Sequence, residues 1–166
     1  MTIPRPTGRL VMRDGDAYMV LDRIFAAPIE DVWASMTRPV PMQSWVGTWT
    51  GRPDTGAMRF HRSVDPEAEW EDVAVLECAA PHRFLGDFGP PESSRRLYLH
   101  LNEASSHTTV SVGQRLRSPR EEARVGVELD YYLDRLVAYR LGRKMPEWDD
   151  YYPAMLSHYR ELVATG

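Results

Sequence analysis

Residues 21–37 read Leu-Asp-Arg-Ile-Phe-Ala-Ala-Pro-Ile-Glu-Asp-Val-Trp-Ala-Ser-Met-Thr, and Trp45-Val46-Gly47 follows shortly after. The β-rich start turns at Ala26-Ala27-Pro28 into a short amphipathic segment. Pro28 suits the first helical position, where its missing N–H costs nothing. Glu30 and Asp31 put negative charge in the first turn, where the helix dipole favours it. Ile29, Val32, Trp33 and Met36 recur at i, i+3, i+4 and i+7, so they share one apolar face. A strand running into a helix with a buried Trp is the entry to a small helix-on-sheet domain.

Working outward, Asp14-Gly15 is a hairpin signal between strands expected at 8–13 and 17–26. The first helix is expected over roughly Ile29–Thr37; Pro39 and Pro41 break it, and a short helical turn leads to Trp45. Further strands are expected at 47–52, 57–63, 70–79 and 83–88, with Pro53-Asp54-Thr55-Gly56 as a turn. Residues 95–102 alternate, with Leu97, Leu99 and Leu101 on one face and Arg96, Tyr98, His100 and Asn102 on the other. Residues 107–117 alternate too, with Thr108, Val110, Val112, Gln114 and Leu116 in register. Two half-buried antiparallel strands have this look.

Ser118-Pro119-Arg120-Glu121 predicts a helix start through a Ser cap, a Pro in the first turn and a capping-box Glu. The helix should run from about Pro119 to Leu141. Gly142 suits the left-handed position after it, and Pro146 bars continuation. Val125, Leu129, Tyr132, Leu133, Leu136 and Val137 form its apolar stripe. A shorter amphipathic segment holds Met155, Leu156, Tyr159, Leu162 and Val163. Hairpin, helix, a run of strands, then helix: that order predicts α+β, with helices on one face of an antiparallel sheet.

The bulk properties narrow the function. At 166 residues one domain is expected over 1–166, with 1–8 a loose tail and 143–166 a C-terminal extension holding a short helix. A chain of this size buries about 70% of its unfolded surface and needs no metal or disulfide for a core. The net charge of −4 leaves no electrostatic footprint for nucleic acid. No run approaches the roughly 18 apolar residues of a membrane helix, and the N-terminus lacks a signal-peptide core. Cys78 stands alone, which suits a reducing cytoplasm.

Several landmarks, in order, resemble the family named after the activator of heat-shock protein 90 ATPase homologue, a branch of the START-like (SRPBCC) superfamily. They are Ala26-Ala27-Pro28-Ile29-Glu30-Asp31-Val32-Trp33, Trp45 with Gly47, the Pro53–Gly56 turn and Glu77 with Pro81 and Arg83. Thr109-Val110-Ser111-Val112 and Gly126 with Tyr131-Tyr132-Leu133-Asp134-Arg135-Leu136 complete the set. The resemblance implies a helix-grip fold, with a curved antiparallel sheet wrapped around the long C-terminal helix and a largely apolar cavity between them. It implies binding of lipids, sterols, polyketides or other hydrophobic small molecules, with cyclase activity in some members. Two departures stand out: Val127 follows Gly126 where the family often has Trp, and 145–163 continue past the usual terminal helix. That extension is expected to cap the cavity or to make a dimer contact.

Catalytic signatures are sparse. The five histidines have no metal spacing, and no nucleophile elbow or phosphate loop occurs. His61 and His100 could meet across the sheet. Cys78 reads as a small hydrophobe, and Glu69 with Glu71 as solvated strand carboxylates rather than an acid pair. No catalytic residue, metal or cofactor is expected, and the reading leans away from an enzyme. The expected partner is a hydrophobic small molecule, lipid-like or aromatic, with a homodimer open and no nucleic acid or membrane insertion. Its expected contacts are Trp33, Trp45, Phe60, Gln114, Tyr132 and Leu136, with Arg23 a further polar candidate. A polyketide cyclase-like enzyme and a co-chaperone-like interaction module, the latter centred on Trp148–Tyr152, stay as alternatives.

Overall fold

A computed structural model describes residues 3–118 and 122–165 of the chain. The elements, in order, are β1 (Arg9–Arg13), β2 (Asp16–Phe25), α1 (Ile29–Thr37), α2 (Pro39–Gln43), β3 (Thr48–Arg52), β4 (Ala57–His61), β5 (Glu71–Ala79), β6 (Arg83–Phe88), β7 (Arg95–Ala104), β8 (His107–Arg115), α3 (Ala123–Leu141) and α4 (Leu156–Thr165). The strands form one eight-stranded sheet in the order β1-β2-β8-β7-β6-β5-β4-β3. With the long C-terminal helix this is the α+β arrangement the sequence predicts. By their contacts the residues fall into two compact units, 1–22 with 112–166, and 23–111.

In the unit of 23–111, α1 spans Ile29–Thr37, the bounds expected from the sequence. Pro28 is the N-cap, in an extended conformation, rather than the first helical residue. Its carbonyl accepts from the Asp31 and Val32 amides, at 3.1 and 3.3 Å. The Ile29 amide, orphaned at the helix start, donates to the Glu103 carboxylate at 2.7 Å. Thr108, fully buried, ties down the preceding turn by donating to the Ala27 carbonyl at 2.7 Å. The buried face of α1 is Ile29, Val32, Ser35 and Met36, with Trp33 only half-buried. Pro39 ends α1 and opens α2, since a proline at the first helical position is pre-set for helix.

In the unit of 1–22 and 112–166, Asp14 (φ 53°) and Gly15 (φ 86°) make the left-handed turn between β1 and β2. The helix α3 has Glu122 as N-cap without a side-chain cap, so it starts later than Pro119. The expected Ser118–Glu121 box rests on residues 119–121, outside the described residues. Gly142 closes α3 in the left-handed region at φ 63°, and the Arg143 amide reaches back to the Ala138 carbonyl at 2.8 Å.

The extension folds back on its own unit. Tyr159 of α4 and Asp130 of α3 are both fully buried, and the Tyr159 hydroxyl donates to the Asp130 carboxylate. The Gly8 amide donates to that hydroxyl at 2.9 Å. Thr7 donates to Asp130 twice, through its hydroxyl at 2.5 Å and its amide at 3.2 Å. Thr7 and Gly8, expected in a loose tail, are therefore anchored. Gly126 leaves the space for the ring, because a Cβ there would overlap the Tyr159 side chain.

Candidate functional site

Strand register in the unit of 23–111 separates two unlike faces, since directly paired residues point to the same side of a sheet. One cross-strand row is Trp49, Phe60 and Glu71; the next is Gly51, Met58, Val73, Phe88 and Arg95. Val75, Gly86 and Leu97 follow, then Cys78, Phe84 and Leu99. A bulge between Val75 and Glu77 resets the alternation of β5 and swings Cys78 onto this side. The opposite side carries Thr50, Arg59 and Asp72, then Ala74, Asp87 and Arg96. Along these rows the first face is apolar and aromatic and the second is charged, until the second reaches Leu85 and the buried Tyr98.

Most of the apolar face is neither core nor open surface. Trp49, Met58, Phe60, Val75, Phe84, Phe88, Leu97 and Leu99 are all half-buried, while Val73 and Gly86 are buried. Phe88 is the hub. Its ring lies edge-on to Phe60, with centroids 5.7 Å apart, and to Phe84 at 6.4 Å. Gly86 makes this possible, since a Cβ there would come within 3.0 Å of the Phe84 ring and 3.3 Å of Val73. At one margin sits an ion pair: Arg95 Nη2 donates to Glu71 Oε1 at 2.5 Å. A shallow groove of about 420 Å³ lies nearby, between Thr50–Gly51, Gly56–Arg59 and Asp72–Ala74. Its charged groups, Arg59 and Asp72, are solvated, so it offers little to hold a ligand.

The expected site residues divide between the units. Phe60 lands in the aromatic row. Trp45 is buried, and its indole N–H donates to the Ser35 carbonyl at 2.8 Å. Trp33 is half-buried on α1. In the other unit, Gln114 is buried on β8 and Leu136 is fully enclosed on α3. Tyr132 is half-buried with its ring edge-on to Tyr131 at 5.1 Å. Arg23 is half-buried in β2. Met58, Phe84, Phe88 and the Glu71–Arg95 pair were not expected here. Phe84 and Phe88 share a face of β6 by alternation, but the strand pairing that sets them with Met58, Glu71 and Arg95 is long-range.

The catalytic alternatives gain nothing from the geometry. His61 and His100 stand on β4 and β7, with β5 and β6 between them, a separation of roughly 14 Å at ordinary strand spacing. His61 Nε2 lies 3.0 Å from the Ala68 carbonyl. Glu71 pairs with Arg95 while Glu69 lies outside β5. Cys78 is exposed, unlike the small buried hydrophobe expected, and partial desolvation raises its thiol above the usual range, away from the nucleophilic thiolate. Among the described residues no three His, Cys, Asp or Glu side chains gather as metal ligands, and no helix is long and apolar enough to cross a membrane. The Trp148–Tyr152 segment engages its own neighbours: the two rings stack at 5.5 Å, with the Arg124 guanidinium 4.8 Å from Tyr152.

The chain is similar to CalU16 from Micromonospora echinospora, with a TM-score of 0.75 and 19% identity over 95% of this chain and 96% of that one. It is also similar to a conserved protein of unknown function from Enterococcus faecalis, with a TM-score of 0.70 and 16% identity over 95% and 91% of the two chains. DynU16, from the dynemicin biosynthetic locus, matches at a TM-score of 0.62 and 19% identity over 78% of this chain and 49% of its own. These likenesses place the fold among the helix-grip proteins. The family of Activator of Hsp90 ATPase homolog 1-like proteins matches residues 26–140, and the chain belongs to it. No curated protein matches the sequence.

Proposed function

We propose that residues 1–166 act as one START-like domain that binds a hydrophobic small molecule, with the apolar face of β3–β7 as its principal contact surface. The observation that carries the reading is the half-buried row of Phe60, Phe88 and Phe84 with Met58, Leu97 and Leu99 around it. A pure packing face would bury such side chains, and a solvated face would not assemble them. Small-molecule sites have this composition, mostly apolar with few polar groups. Membership of a START-like family adds support, as does the place of DynU16 in a biosynthetic locus. Of the expected contacts, Phe60 and Trp33 lie in the unit that carries this face. Trp45 is assigned to packing. Gln114, Tyr132 and Leu136, in the other unit, are separate candidates for substitution. The free Cys78 suits a reducing, cytoplasmic setting.

The test is a thermal-shift screen of aromatic and lipid-like compounds. A ligand that binds only the folded form adds about 2.7 kcal/mol of stability at a hundred times its Kd. The expected result is a set of related hits whose shift shrinks in Phe60→Ala and Phe88→Ala. A screen with no stabilising compound, or hits indifferent to both substitutions, overturns the reading.

A further inference from the structure

We propose that Glu71 and Arg95 form the polar anchor of the apolar face, selecting ligands whose apolar body carries one neutral hydroxyl or amide group. This deepens the function just proposed and rests on it. Glu71 shares a row with Trp49 and Phe60, and Arg95 shares the next with Met58, Val73 and Phe88. The two charges thus lie where an apolar ligand on this face would end.

The geometry of the pair differs from that of its neighbour. On the opposite face Arg96 grips Asp87 with both prongs, Nε at 2.8 Å and Nη2 at 2.9 Å. Arg95 instead holds Glu71 through Nη2 alone. A guanidinium has five N–H donors and a carboxylate about four acceptor sites. Among the described residues, most of that capacity on the apolar face is unspent. The side chains are 34% and 22% exposed, so the unspent groups are reachable but set among apolar atoms.

Charge then decides the class of ligand group. The pair is neutral as a whole. An anionic ligand brings its charge against Glu71, and a cationic one against Arg95. A hydroxyl or amide accepts from Arg95 and donates to Glu71, satisfying both. Hydrogen bonds to charged partners in such surroundings are the stronger kind.

Titration calorimetry with three probes sharing one ring system tests this: naphthalene, 2-naphthol and 2-naphthoate. In the wild-type chain 2-naphthol should bind more tightly than 2-naphthoate. Arg95→Met should weaken 2-naphthol about ten-fold while moving naphthalene less than about two-fold. Glu71→Gln should narrow the preference for 2-naphthol over 2-naphthoate. The double variant Glu71→Met/Arg95→Met serves where a lone charge prevents folding, and it should no longer prefer 2-naphthol to naphthalene. Tighter binding of 2-naphthoate, or a preference for 2-naphthol that survives in the double variant, overturns the anchor and leaves the ligand-binding reading standing. If no probe binds the wild-type chain, the ligand-binding reading fails and the anchor falls with it.

Discussion

The Tyr159 hydroxyl donates to the Asp130 carboxylate, with both residues wholly out of water, and the Gly8 amide donates to the same hydroxyl. A buried carboxylate is tolerated only when its oxygens are well supplied with donors. Here Tyr159 and Thr7 supply them, so three separated stretches of chain meet on one acidic side chain.

Removing the phenolic oxygen tests the strength of that junction. Tyr159→Phe takes a donor from Asp130 and an acceptor from Gly8 while leaving the ring in place. It should cost about 1–3 kcal/mol of stability by urea denaturation. Thr7→Ala should cost less, since Tyr159 still holds the carboxylate. A Tyr159→Phe variant as stable as the wild type contradicts the account.

The same junction predicts an alkaline weakness. Burial, the Asp130 charge and the hydrogen bond to Asp130 together raise the Tyr159 phenol above its usual range, against smaller lowering by the Gly8 and Thr7 backbone. The folded state therefore keeps a proton that the unfolded chain gives up above about pH 10. Stability from this group is complete below that pH and falls as pH rises further, by about 1.4 kcal/mol per unit. Urea midpoints across the alkaline range should converge for wild type and Tyr159→Phe. Parallel curves would exclude the mechanism.

Gly126 is a helix-interior glycine, which ordinarily costs about 1 kcal/mol relative to Ala. Here the usual sign should reverse. Its Cβ would overlap the Tyr159 ring, so Gly126→Ala should destabilise by about 1–3 kcal/mol, as overpacking does. A stabilised Gly126→Ala, by thermal melting, would show that the ring has room to move.

At the start of α1, Glu103 does the work of an N-terminal cap from 74 positions away in sequence. Glu103→Ala should cost about 0.5–2 kcal/mol, in the range of lost caps. Glu103→Gln keeps an acceptor oxygen and should lose less. Amide exchange at Ile29 measures it directly: faster exchange in the Ala variant is expected, and an unchanged rate would refute the role.

What the sequence discloses about this fold follows the range of the forces involved. The Asp14-Gly15 hairpin, the stop at Gly142 and the alternation of β8 rest on neighbours within a few residues, so they read directly. The long-range junctions do not. Nothing local marks Glu103 as the partner of Ile29, or Thr7 as the partner of Asp130 at a separation of 123. Phe60 was legible as a candidate contact through its aromatic character on an expected strand. Phe84 and Phe88 share one face of β6 by two-residue spacing, but nothing local shows that this face joins Phe60 across β5. At Trp45 aromatic character suits a ligand contact and core packing alike, and its ring is buried.

The Tyr159 junction also orders events during synthesis. Residues 23–111 are contiguous and can gather while later parts are still being made. Asp130 leaves the ribosome 29 residues before the tyrosine that completes its shell. Until then α3 carries a charge that cannot be sealed away. A message cut short in that interval would yield a chain marked for proteolysis by its own unfinished seam.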